Sequence, residues 1–85
     1  MMPKKTDKQR AAGTADLLRE RFGLTPAEAS VAMLVADGLM YAEIADRLAV
    51  SPHTVHTHIK EVHRKLDVHS NGRAAALIRE LGERE

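Results

Sequence analysis

The sequence predicts an all-α domain of four helices preceded by a short extra N-terminal helix. Three observations carry that expectation. Hydrophobic residues make up 44% of the 85 residues, yet the aromatics are one Phe (Phe22) and one Tyr (Tyr41). An aliphatic, alanine-rich core of this kind suits close helix packing and lacks the aromatic and β-branched enrichment that a sheet wants. Thr25-Pro26-Ala27-Glu28 and Ser51-Pro52 each place a capping hydroxyl before a proline at the first helical position. Finally, Val55, Ile59, Val62 and Leu66 recur at i, i+4, i+7 and i+11, one narrow stripe of a helix. The length allows one small core and little more.

Taken in order, residues 1–13 carry Pro3, Lys4, Lys5, Lys8, Arg10 and Gly13 and read as a flexible basic arm. Residues 14–23 read as a short helix capped by Thr14 and stopped at Gly23, with Leu18 and Phe22 on one face. The domain proper is expected over 24–82. Thr25 and Glu28 form a capping box for a helix that buries Val31, Leu34 and Val35 and ends at Gly38. The next helix covers about 41–48, with Ile44, Ala45 and Leu48 inward. Met40 gives it no capping hydroxyl, so fraying is expected. Ser51 caps a longer helix that runs from Pro52 to about Leu66. The last helix, 72–81, holds Ala74, Ala75, Leu77, Ile78 and Leu81, apolar on more than one side. It either wraps a small core or meets a second subunit.

Charge and composition narrow the function. The formal net charge is only +1, but it is polarised. Glu28, Asp37, Glu43 and Asp46 fall on the earlier helices, whereas Lys60, Arg64 and Lys65 fall on the long one. The chain contains no cysteine, which excludes disulfides and thiolate chemistry. No apolar run approaches the roughly 18 residues of a membrane span, and no hydrophobic segment follows the charged amino terminus, so a cytoplasmic protein is expected. No catalytic dyad, nucleophile–base set or phosphate-cradling loop appears, so neither an enzyme nor a cofactor is expected.

Residues 43–68 concentrate the functional signal. Ala45 is small where two helices would cross, Leu48 and Val50 are placed to fill the angle between them, and Val55 anchors the second. Opposite the buried stripe lie His53, Thr57, Lys60 and Arg64, with His56 on the flank. A helix held by one face and offering donors on the other suits insertion into the major groove of double-stranded DNA. Lys60 can donate to guanine, and Thr57 offers a hydroxyl and a methyl suited to thymine. Thr54 can donate to phosphate beside helix N-terminal N–H groups.

The wider pattern resembles a known family. Leu24-Thr25-Pro26-x-Glu28, Gly38, Glu43-Ile44-Ala45-x-x-Leu48-x-Val50-Ser51-x-x-Thr54-Val55-x-x-His58 and Lys65-Leu66-x-Val68 keep the spacing of the LuxR-type (GerE/FixJ/NarL-like) DNA-binding domain over about residues 24–81. The resemblance implies a sequence-specific transcriptional regulator whose helix 52–66 reads the major groove and whose last helix commonly pairs subunits. By position it implies base contacts at His53, His56, Thr57 and Lys60, and phosphate contacts at Ser51, Thr54, Arg64 and Lys65. It also implies a homodimer interface at Ala74, Ala75 and Ile78, with RNA polymerase or another regulator as a further partner. Several residues depart from the pattern, among them Met40 where a capping residue such as serine is usual and Gly72-Arg73 where the last helix usually starts with an acidic residue. Ala49 occupies the turn where glycine or asparagine accepts a positive φ more easily, and Asn71 stands where arginine is frequent.

All five histidines lie between positions 53 and 69. His53 and His56 sit at i, i+3 but lack a third ligand on that face, so DNA contact is the stronger expectation and no metal site is expected. His58 is expected to make a structural hydrogen bond, and His63 and His69 to be surface residues. Two other readings compete: a promoter reader like sigma-factor region 4, and a module of the same fold that sequesters a regulator through protein contacts.

Overall fold

The computed structural model describes the backbone of residues 7–83 and the side-chain environment of residues 13–83. Its described residues form helices α1 (Asp7–Phe22), α2 (Pro26–Ala36), α3 (Tyr41–Leu48), α4 (Pro52–Leu66) and α5 (Asn71–Glu83). The all-α class is as the composition implies. The N-terminal helix is longer than the sequence suggests. It starts at Asp7 instead of after Thr14, so residues 7–13 are helical and are not part of an arm; residues 1–6 lie outside the described residues. Thr14 is therefore no cap. It sits inside α1, almost fully buried, where it approaches Gly82 of α5 so closely that a Cβ there would lie 3.3 Å from its Oγ1. The packing of α1 on α5 outweighs the roughly 1 kcal/mol that a mid-helix glycine at Gly13 costs.

Helix α2 is the centre of the molecule because it is apolar on two sides. Ala29, Ala32 and Ala36 face one cluster with Leu18, Leu24, Val62, Leu66, Ala74, Ala75, Ile78 and Leu81. Val31 and Val35 face a second cluster with Ile44, Ala45, Val55 and Ile59. Helix α4 contributes to both in succession, Val55 and Ile59 to the second and Val62 and Leu66 to the first. The alanine face of α2 brings neighbouring helices close, which a valine or leucine face would not allow.

The two-sided apolarity of α5 has an intramolecular explanation. Ala74, Ala75, Ile78 and Leu81 are all buried against α1 and α2 of the same chain. This corrects the expected subunit interface: Ala74, Ala75 and Ile78 are 1%, 7% and 2% exposed, so no second copy can reach them while α1 is in place. Arg79 closes the same seam by donating to the Ala36 carbonyl at 3.0 Å, at the C-terminal end of α2.

Helix ends follow local chemistry with one exception. Thr25 and Glu28 form the reciprocal capping box of α2, Thr25 Oγ1 accepting from the Glu28 N–H at 3.1 Å and Glu28 Oε1 from the Thr25 N–H at 2.9 Å. Helix α3 has half a box: Met40 carries no capping oxygen, but its N–H donates to Glu43 Oε1 at 2.7 Å, and the helix forms from Tyr41. Gly23, Gly38, Ala49 and Asp67 each take a left-handed conformation directly after a helix or its cap. After Gly38, Ala49 and Asp67 the chain closes with paired bonds back into the last turn, for instance Val50 N–H to Ala45 O at 3.0 Å. Glycine takes this conformation freely and aspartate tolerates it, whereas alanine carries its Cβ against the carbonyl at a cost of about 1–2 kcal/mol. The turn thus adopts the strained region at Ala49, where φ is 59° and ψ 43°. Val50 is less enclosed than the expected filling of the interhelix angle requires: it is 40% exposed, while its N–H donates to the Ala45 carbonyl.

Ala49→Gly should therefore stabilise the domain. The relieved strain exceeds the extra unfolded-state freedom of glycine, leaving a net gain of about 0.5–1 kcal/mol. Thermal unfolding should shift upwards by several degrees; an unchanged or lower midpoint would show that residue 49 is not left-handed in solution.

Candidate nucleic-acid interface

Helix α4 is presented by its own start signal and by what lies behind it. Ser51 Oγ accepts from the Thr54 N–H at 3.1 Å and lies 3.0 Å from the Thr54 hydroxyl, while Pro52 occupies the first turn. Val55, Ile59, Val62 and Leu66 are buried along the full length of the helix. On the other side His53, His56, Thr57, Lys60 and Arg64 are exposed. Five of the residues expected to touch DNA thus lie together on one open face, with Ser51 and Thr54 at its N-terminal edge.

Two of these side chains are preset by neighbours. The Thr57 hydroxyl donates to the His53 carbonyl at 3.1 Å, so its proton is directed along the helix while its methyl and oxygen lone pairs remain for a ligand. The His56 ring stands 6.0 Å from the Tyr41 ring at an interplanar angle of 47°. Tyr41 in turn accepts a hydrogen bond from Asn71 Nδ2 at 3.2 Å, and Asn71 Oδ1 lies 2.8 Å from His63 Nε2. His63 is consequently half-buried and bridging instead of a plain surface residue. This line of contacts from α4 through α3 to α5 was missed by sequence reasoning. The one pointer was Asn71 departing from the family pattern. His58 is half-buried, and its ring shows no side-chain hydrogen bond among the described residues, contrary to expectation; His69 is exposed.

Lys65, expected among the phosphate contacts, is held inside the fold instead of standing free on the exposed face. Its Nζ lies 2.7 Å from Glu28 Oε1 and donates to the Gly23 carbonyl at 3.1 Å, with side chains only 19% and 8% exposed in the Lys65–Glu28 pair. Burial pushes the Glu28 carboxyl up, but the Lys65 hydrogen bond and charge and the Thr25 N–H and hydroxyl outweigh it and hold the group below its ordinary value. Helical angles carried a hint, since Lys65 lies about 60° from Val62 and Arg64 nearly opposite it. Arg64 points outward and pairs with Glu61 at 2.7 Å, which lowers the Glu61 carboxyl and leaves the guanidinium on the surface. Beside them an open groove is lined by Lys60, His63, Arg64, Asp67, Val68 and His69. Among the described residues, no group of three or more His, Cys, Asp or Glu side chains could hold a metal ion, and no helix is long and apolar enough to cross a membrane.

The family model of the luxR family of bacterial regulatory proteins matches residues 23–78, which contain the turn and both of its helices. The chain belongs to this family. As a LuxR-family helix-turn-helix domain it is of the DNA-binding, transcription-regulating kind. Over 47 residues it is 51% identical to a Mycobacterium tuberculosis (strain H37Rv) protein named as an HTH-type transcriptional regulator, covering 55% of this chain and 5% of that one. A Mycobacterium bovis protein of the same description matches equally, at 51% over 47 residues. YgeK of Escherichia coli (strain K12), named as a response regulatory protein, is 47% identical over 47 residues, 55% of this chain and 32% of that one. The LuxR-family chain therefore spans less than a third of the length of the relatives it matches. No solved structure matches.

The buried ion pair makes two predictions. Lys65→Ala should cost about 2–3 kcal/mol of stability, because it leaves the Glu28 carboxylate without its cation in a largely buried site. It should leave the salt dependence of DNA binding unchanged; a shallower salt slope with unaltered stability would return Lys65 to the phosphate contacts. The Glu28 contribution to stability is complete above the ordinary carboxyl value of 4.5 and is lost as pH falls through the lower folded value. Unfolding followed by urea titration at stepped acid pH should show this loss in the native protein and a weaker one in Glu28→Gln. Equal acid sensitivity of the two would assign the loss to other carboxylates.

Proposed function

We propose that this domain reads duplex DNA with α4 in the major groove and so directs a transcriptional regulator to its operator. The observation that supports this most is the exposed α4 face, where His53, His56, Thr57 and Lys60 stand together while the opposite side of the helix is buried throughout. A helix with its side chains is about 10–12 Å across, and the major groove is about 12 Å wide. Lys60 can donate to guanine O6 and N7, and Thr57, its hydroxyl proton engaged, can accept from an exocyclic amine and pack its methyl on thymine. Ser51 and Thr54 at the start of α4, and Arg64 on its outer side, would meet phosphates.

Two copies on a palindromic operator would place one α4 in each half-site. Since Ala74, Ala75 and Ile78 are buried within one protomer, such copies would meet across outward α5 residues such as Arg73 and Ala76. RNA polymerase or another regulator protein would then be engaged by surfaces away from α4, in the cytoplasm.

Selection of bound sequences from random duplex DNA tests the reading. The expected result is a palindromic consensus with half-sites about one helical turn apart. Lys60→Ala should then cost about 1–3 kcal/mol on the selected site and relax one position in each half, with little change on random DNA. Absence of enrichment and of salt-dependent binding, together with a stable complex with a helical protein, would favour a regulator-sequestering module instead.

A further inference from the structure

We infer that Tyr41, which lies outside the recognition helix, is a specificity-positioning residue: it sets the orientation of the His56 imidazole before DNA is met. The inference rests on the proposed reading that His56 faces base edges. An exposed histidine on a helix normally samples several rotamers, and ordering it on binding weakens the contact it makes. His56 instead has a ring partner, with centroids 6.0 Å apart and tilted by 47°, inside the range in which aromatic pairs attract.

Tyr41 is itself held. It is the first residue of α3, half-buried and packed on the cluster that contains Ile44, Val55 and Ile59. Its hydroxyl accepts from Asn71 Nδ2 at 3.2 Å, which leaves Asn71 Oδ1 as the acceptor facing His63 Nε2 at 2.8 Å. The His63 ring nitrogen then carries the hydrogen in this arrangement. His56 and His63 are seven residues apart and so lie on the same side of α4, two turns from each other. The path therefore leaves α4 at His56, passes through Tyr41 and Asn71, and returns to α4 at His63. A phenol pinned at its ring by the core and at its oxygen by α5 offers a fixed surface, and the imidazole resting on it is restricted in turn. Tyr41 acts through His56, so its influence should fall on discrimination between sequences and leave the phosphate-driven part of affinity alone.

The test compares the selected operator with random duplex DNA at fixed salt, for the intact chain and for Tyr41→Leu and Tyr41→Phe, each with His56 present and with His56→Ala. Tyr41→Leu should weaken operator binding roughly three- to tenfold, leave random-DNA binding unchanged, and add nothing once His56 is alanine. Tyr41→Phe, which keeps the ring, should retain most of the discrimination. Equal losses on both DNAs, or the same operator loss with and without His56, would reduce Tyr41 to a structural residue. If His56→Ala alone leaves operator affinity intact, the base-reading role of His56 fails and this inference falls with it. If His56→Ala weakens operator binding but Tyr41→Leu does not, only the inference is overturned. The unmutated free protein gives a check that does not depend on variants folding. The His56 ring-proton resonances should be displaced by the Tyr41 ring relative to those of exposed His69, and coincident resonances would overturn the inference.

Discussion

The contact between Glu28 and Lys65 holds helix α4 in place. One carboxylate oxygen serves two purposes: at 2.9 Å it caps the start of α2 through the Thr25 N–H, and at 2.7 Å it receives the Lys65 ammonium from the last turn of α4. The same ammonium donates to the Gly23 carbonyl where α1 has just ended. Three elements are therefore tied at one point, largely out of water, where an ion pair is screened little and an unpaired partner is costly. The apolar contacts behind α4 are individually permissive, since aliphatic side chains tolerate small sliding and rotation. A directional ion pair with hydrogen bonds on both sides is not permissive in that way. It fixes the rotation of α4 about its own axis, and with it which residues face outward.

The other end of α4 is fixed differently. Ser51 caps the helix, and Val55 and Ile59 enter the cluster formed with Val31, Val35 and Ile44. Helix α2 lies between the two clusters and transmits position from one to the other. This arrangement explains why α5 and α1 matter to a surface they do not touch. By burying Ala29, Ala32 and Ala36 from the far side, with Ala74, Ala75 and Ile78, they give α2 a firm back on which α4 rests. The residues that looked like a subunit interface are thus part of the support for α4 within one chain.

What was legible in the sequence was local or strictly periodic. The Thr25 and Ser51 caps involve partners three residues away, and the stripe Val55, Ile59, Val62, Leu66 repeats with the helix, so both emerged without knowledge of the fold. What was not legible depends on partners distant in the chain. Lys65 read as a free cation because Glu28 lies 37 positions earlier. Gly13 read as the end of an arm and Thr14 as a cap because nothing nearby reveals that Thr14 fits against Gly82. Alanine was ambiguous throughout: it fits a surface as well as a tight interior, so the second face of α2 and the inward side of α5 showed in the sequence only as excess. Ala49 is a different case, because its residue type argues against the conformation it takes. The bonds of Ala49 and Val50 back to Asp46 and Ala45, with Leu48 packed on the core, hold the turn against that local preference.

The modest net charge of +1 gains meaning from this rigidity. A strongly basic protein binds DNA of any sequence through phosphate neutralisation, and its discrimination is a small part of a large total. Here two cations are already committed, Lys65 to Glu28 and Arg79 to the end of α2, while Arg64 keeps its guanidinium on the surface beside Glu61. With the phosphate term limited in this way, the proposed reading makes sequence choice depend on groups aimed accurately at base edges. Accurate aim requires a backbone that does not rotate and side chains that do not wander. The ion pair at the C-terminal end of α4 supplies the first condition. The Thr57 bond to the His53 carbonyl and the Tyr41 ring beside His56 supply the second at two positions of the exposed α4 face. Lys60, which has neither kind of support, is left as the adaptable member, and its long flexible stem suits a cation that can serve either a guanine edge or a phosphate.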